Sequence, residues 1–226
     1  MKQIVILVII VLDSILLFSQ SSNDIKDIYN ESINYHARKY VIDSTKKTIL
    51  LDSSVCFKKD LDIVVMITRR YRYGNSLYSI YKDYLNIDTS DFRNIEKLNS
   101  NFKENTIIPE YLGRYLSENM NIRLVNHMIV DSFFIPFKEI RFKIDATEAE
   151  MDSMIQIAIN CYENLNSTYD CIGYLTLSKP YIHEKNKAMI YLSFRQSPMA
   201  GHSLILLLSR ENNVWVVKKE ITLGVS

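Results

Sequence analysis

Between Ile172 and Ser178 the chain alternates apolar and polar positions two by two, with Tyr174 and Thr176 on one side and Leu175 and Leu177 on the other. That period predicts a half-buried strand, which Lys179-Pro180 stops because proline brings no ladder donor. After the polar turn Glu184-Lys185-Asn186-Lys187, the segment Ala188 to Phe194 resumes the pattern, placing Ala188, Ile190, Leu192 and Phe194 opposite Met189, Tyr191 and Ser193. Pro198 and Gly201 mark the next turn, and Leu204 to Leu208 follows as an unbroken apolar run, the pattern of a strand covered on both faces. Asn212-Asn213 supplies two residues tolerant of positive φ for a tight hairpin into Val214 to Val217, which carries Trp215, the chain's one tryptophan. The expected product is a C-terminal meander of four strands.

Upstream the pattern changes to helical spacing. Ile25, Ile28, Tyr29, Ile33, His36 and Tyr40 predict an amphipathic helix over residues 24 to 40, with Ser22 and Asn23 as candidate caps. Thr48 to Leu51 and Leu61 to Thr68 are rich in β-branched residues and read as strands. Ser76 to Leu85 places Leu77, Ile80, Tyr81, Tyr84 and Leu85 on one helical face, residues 86 to 110 read as a long loop, and Pro109 opens a further short helix. Residues 120 to 144 stay open apart from the alternation of Ile140, Phe142 and Ile144. Asp145-Ala146-Thr147-Glu148 then resembles a capping box, opening a helix with Met151, Met154, Ile155, Ala158 and Tyr162 inward. Segregated helices and strands predict an α+β fold, an antiparallel sheet ending in the four-strand meander and packed by helices.

Composition narrows the class. The chain has 226 residues, of which 47% are hydrophobic and 23% charged, so one well-filled domain is expected and disorder or a coiled coil is not. A formal charge of +1, from 27 basic and 26 acidic residues, lacks the global field of a dedicated nucleic-acid binder. Met1-Lys2-Gln3, the apolar stretch Ile4 to Phe18 and the small polar residues after it have the order of a secretory leader, so residues 1–21 are read as a signal peptide and 22–226 as a single α+β domain. Asp13 within that short stretch would cost about 2.5 to 3.5 kcal/mol at the centre of a spanning helix, which argues against a permanent membrane span. In an exported, periplasmic or secreted chain, two of Cys56, Cys161 and Cys171 can oxidise. Cys161 and Cys171 are the expected disulfide, because they flank the polar segment Glu163 to Asp170, read as a loop.

Gly173, Leu177-Ser178, Ala188 with Tyr191, Gly201, and Trp215 with Val217 resemble the C-terminal signature of uncharacterised exported bacterial proteins. The resemblance covers the last quarter of the chain, and this sequence departs from the pattern at Lys179-Pro180 and Met199-Ala200-Gly201. It implies export and carries no activity.

Candidate chemistry is sparse. Arg69-Arg70-Tyr71-Arg72-Tyr73 interleaves guanidiniums with aromatics as single-strand binders do, but five residues in a nearly neutral chain read as a solvated strand end, and no nucleic-acid partner is expected. His36, His127, His183 and His202 show no metal-ligand spacing, and neither a metal nor a cofactor is expected. Ser132, Ser178 or Ser203 could be grouped with His183 or His202 and an aspartate, yet the Gly-x-Ser-x-Gly elbow of a serine hydrolase is absent. Glu148, Glu150 and Asp152 fall in a first helical turn, where acids complement the dipole. The 15 tyrosines are a weak pointer to sugar stacking. The best candidate binding face is one side of the meander, where Tyr191, Ser193 and Arg195 would lie beside Thr176 and Ser178 if the register allows. The expected role is a non-catalytic binding or interaction protein of the cell envelope, its partner an envelope protein or glycan. The alternatives are an envelope hydrolase and a toxin-neutralising partner protein.

Overall fold

The computed structural model describes residues 23–40, 47–52, 122–138, 147–183 and 185–225. Helix α1 covers residues 23–40. It is followed by β1 (Lys47–Leu51), β2 (Ile122–Val125), α2 (His127–Phe133), α3 (Ile135–Lys138), α4 (Glu148–Tyr169), β3 (Cys171–Leu177), β4 (Tyr181–His183), β5 (Lys187–Ser197), β6 (Ala200–Glu211) and β7 (Val214–Val225). The strands form one sheet in the order β2-β1-β3-β5-β6-β7, with β4 also paired to β5. The leader at residues 1–21, the strand, two helices and loop expected between 61 and 116, the alternation at 140–144, the Arg69 to Tyr73 segment and Cys56 lie outside the described residues.

The fold is α+β, with a C-terminal antiparallel meander, and the sheet as a whole is mixed. β3, β5, β6 and β7 pair antiparallel as the alternation requires. β1 pairs in parallel with both β2 and β3, which extends the sheet beyond the antiparallel arrangement expected. Parallel strands need a crossover rather than a tight turn, and α2, α3 and α4 lie in the chain between β2 and β3, which flank β1 on its two sides.

Alternation along β1 divides the core. Leu50 joins Leu175, Leu177, Ile190, Leu192, Leu204, Leu206, Leu208 and Trp215 against Ile28, Tyr29 and Ile33 of α1. Ile49 and Leu51 point the other way, meeting Val130 of α2 and Leu165 of α4. The central run Leu204 to Leu208 is buried throughout, as expected of a strand covered on both faces. Asn212 and Asn213 adopt φ of 49° and 65°, the left-handed pair of a two-residue hairpin turn. Trp215 is 2% exposed and belongs to the α1 side of the core.

Two expectations need correction along α4. The capping box is set two residues later than Asp145 to Glu148: the Thr147 hydroxyl accepts from the Glu150 amide, and the Glu150 carboxylate accepts from the Thr147 amide at 2.8 Å. The segment Glu163 to Tyr169 is helical, not a loop, and ends on Asp170 in the left-handed region at φ 48°. Eight residues of helix put about 12 Å of axial rise between positions 161 and 169, whereas a disulfide needs Cα atoms within about 7 Å. Cys161 and Cys171 are accordingly separate, buried and not bridged. The Cys171 thiol donates to Asn166 Oδ1 at 3.4 Å.

Candidate functional site

The meander register brings the predicted face together. Thr176 stands opposite Ser193, Ser193 opposite Ser203, and Tyr191 opposite Ile205, with Arg195 opposite Tyr174. These side chains satisfy one another. Tyr191 donates its hydroxyl to Ser203 Oγ at 3.0 Å, Ser193 and Ser203 hydroxyls lie 3.3 Å apart, and Thr176 donates to the Ser193 carbonyl at 3.4 Å. Ser178 has a different task, because Lys179-Pro180 separates β3 from β4 while both pair with β5. Its amide donates to the Tyr191 carbonyl, and its Oγ accepts the Tyr191 amide at 3.0 Å, taking the place of a ladder carbonyl. Ser178 is 2% exposed. Thr176, Ser178, Tyr191 and Ser193 are thus tied into the sheet's own polar ladder.

A second cluster, which the sequence pattern did not single out, lies under the C-terminal half of α1. His36 Nε2 is 3.1 Å from His202 Nε2 of β6. Two neutral imidazoles can make that contact only if one ring donates and the other accepts there. Phe194 of β5 and Tyr40 of α1 close around them, with ring centroids 5.1 Å and 5.6 Å from His36. Beside this pair, the Glu220 carboxylate of β7 accepts from Tyr35 at 2.9 Å, from Tyr40 at 2.9 and 3.0 Å, and from Lys39. Burial would raise the Glu220 carboxyl, but its bonds from Lys39, Tyr35 and Tyr40 outweigh that and hold it below its ordinary value. Burial first, and the bonds to Glu220 second, raise the Tyr35 and Tyr40 hydroxyls. Burial, reinforced by His202, depresses His36 to about 3. Among the described residues no group of three or more His, Cys, Asp or Glu could hold a metal. The signal missed was His36 itself, a titratable ring at a core position of an otherwise apolar helical stripe.

A third arrangement lies at the carboxyl ends of the parallel strands. Asp52, just past β1, accepts the His127 amide at 2.8 Å and meets the same residue's Nδ1 at 2.9 Å. The carboxylate therefore satisfies the first amide of α2, whose N-cap is Asn126, and orients an imidazole. The serines weighed at the sequence level are engaged elsewhere: Ser132 donates to the Ile129 carbonyl, and Ser203 accepts from Tyr191.

On the far side of the sheet from α1, the helical layer α2 to α4 exposes Met128, Ile129, Ile135, Met151 and Ile155, Met128 to 70%. Met151 and Ile155 were expected inward, but the buried stripe of α4 runs through Ala158, Cys161 and Leu165 instead. No family model, curated protein or solved structure matches the chain.

Proposed function

We propose that this is an exported, non-catalytic interaction protein of the cell envelope, which docks a protein partner on the helical layer formed by α2, α3 and α4. The observation that carries the reading is that three helices which touch one another together expose five large apolar side chains. A layer that leaves several large apolar side chains exposed is the usual starting point for an association surface. The polar face of the meander fits a scaffold role, since its hydroxyls are spent on each other. Export rests on the leader-like order of residues 1–21. Among the described residues no helix is long and apolar enough to cross a membrane.

A photo-reactive residue placed at Met151 in the producing cell is expected to yield one discrete adduct, lost when Ile155 is changed to Glu. The same probe at Lys185, in the turn before β5, should yield none. Absence of an adduct at 151, or equal labelling at 185, overturns the docking surface. N-terminal sequencing of cell-derived protein is expected to begin near Gln20 to Ser22, and an intact Met1 rejects export.

The hydrolase reading is favoured by one observation, the Asp52–His127 pair at the carboxyl ends of parallel strands, where α/β ligand sites gather. Hydrolysis of simple chromogenic esters that disappears in His127→Ala would support it. No turnover by the unmodified protein would remove it.

A further inference from the structure

We propose that α1 is an acid-released strap, its C-terminal half held on the sheet by the facing neutral imidazoles of His36 and His202. His36 is 2% exposed, its ring enclosed by Phe194 of β5, His202 of β6 and Tyr40 of its own helix. A proton added to His36 must be held where burial disfavours its charge, and a proton on each ring would place two cations 3.1 Å apart.

The charged groups facing the pair do not offset that cost. Glu220 of β7 draws protons toward His202, but its oxygens already accept from Tyr35, Tyr40 and Lys39, and the Lys39 charge lies beside it. Arg195 of β5 acts in the opposite sense and adds to burial in lowering His202. The first part of α1, residues 23–33, is held differently, through Ile28, Tyr29 and Ile33 in the core and through Asp24 bonded to Trp215 and Arg210. Release should therefore begin at the His36 end.

The sign follows from linkage. His36 binds its proton near 6.5 when exposed and near 3 when docked, so the docked helix carries fewer protons than the released one throughout that interval. Its contribution to docking is full above 6.5 and is lost as pH falls, the released-to-docked ratio rising about tenfold per pH unit. From pH 7.5 to 4.5 that amounts to about 100-fold from His36 alone. His202 is lowered as well, chiefly by burial, and pulls in the same direction.

Amide hydrogen exchange of the full chain at pH 7.5, 6.0 and 4.5, with intrinsic rates divided out, tests this. Protection across residues 34–40 is expected to fall about 100-fold while β5 and β6 keep theirs. In the His36→Gln, His202→Gln double variant the fall between pH 7.5 and 4.5 should disappear. Unchanged protection at pH 4.5 in the wild type, simultaneous loss from α1, β5 and β6, or an undiminished fall in the double variant would each overturn the strap. Should the double variant not fold, the wild-type imidazole resonances decide. A His36 ring that titrates near 6.5 while α1 remains protected rejects the proposal, and one that stays neutral until protection is lost supports it.

Discussion

The indole Nε1 of Trp215 donates to Asp24 Oδ1 at 3.2 Å, joining the start of α1 to the start of the last strand across 191 positions of sequence. Arg210 meets the same carboxylate at 3.0 Å, so the contact fastens α1 to both β6 and β7. Trp215→Ala should cost about 3 to 5 kcal/mol through lost packing and a cavity. Asp24→Ala, which leaves a buried indole donor unpaired, should cost about 1 to 3 kcal/mol. A double-mutant cycle of Asp24→Ala with Trp215→Phe, followed by urea unfolding, is expected to give a coupling of at least about 0.5 kcal/mol. Additive losses would show that the two groups do not interact. Because Trp215 is the chain's one tryptophan, blue-shifted native emission reports its burial directly.

Gly173 has φ +148°, and a Cβ built there would lie 2.3 Å from the Arg195 carbonyl oxygen. It falls where β3 gains one residue on β1, between the pairs Lys47↔Cys171 and Ile49↔Tyr174. A bulge of this kind puts backbone against backbone, and a methyl group has nowhere to go. Gly173→Ala should destabilise the protein by at least about 2 kcal/mol, combining backbone strain with displacement of β5. A chemical melt of the variant that superimposes on the wild type would show that this bulge is not formed.

Ser178 separates a structural role from a binding one. Its Oγ accepts the Tyr191 amide where the chain is about to leave the ladder at Pro180. Ser178→Ala removes the oxygen that accepts this amide and should cost about 1 to 3 kcal/mol, while Ser178→Thr, which keeps the oxygen, should cost less. Were the serine a ligand contact instead, the alanine variant would melt at the wild-type temperature.

The meander was legible because local signals agreed there: period-two alternation, proline and the Asn212-Asn213 pair each point to the same turns and strands. Its hydroxyl-bearing face was also legible, since Thr176 and Ser193 follow from parity once the strands pair. Helix α1 was readable for the same reason, through Ile28, Ile33 and Tyr40. The α4 segment misled because Asn164, Asn166, Ser167 and Thr168 have loop-like preferences, yet Leu165 anchors that turn in the core and tertiary contact overrides propensity. Parallel pairing of β1 with β2 and β3 was not readable, because partner choice between strands more than 70 residues apart leaves no local trace. The His36–His202 contact is hidden for the same reason: it joins positions 166 apart.

Glu220 makes the acid response of the α1 contact separable into parts. Its carboxyl is held below 4.5 in the folded protein, the bonds from Lys39, Tyr35 and Tyr40 prevailing over burial. A depressed carboxyl contributes stability that is complete above its unfolded value and is lost as pH falls through the folded one, so this part acts below about 4.5. The histidine part acts at higher pH, beginning near 6.5. Glu220→Gln removes the charge that binds Lys39 and should cost about 1 to 2 kcal/mol at pH 7, a range that allows for screening of the half-exposed lysine. Between pH 7 and 5 the variant's stability should fall at least as steeply as the wild type's, because the imidazoles are intact and His202 has lost the carboxylate that draws protons toward it; below 4.5 its slope should be shallower. The exposed Lys218–Glu211 pair provides the control, and Glu211→Gln should change stability by less than about 0.5 kcal/mol at any of these pH values. Urea unfolding at half-unit steps from pH 7 to 3.5 measures all three proteins. A Glu220→Gln slope that matches the wild type below 4.5 would show that the tyrosine and lysine bonds do not depress this carboxyl.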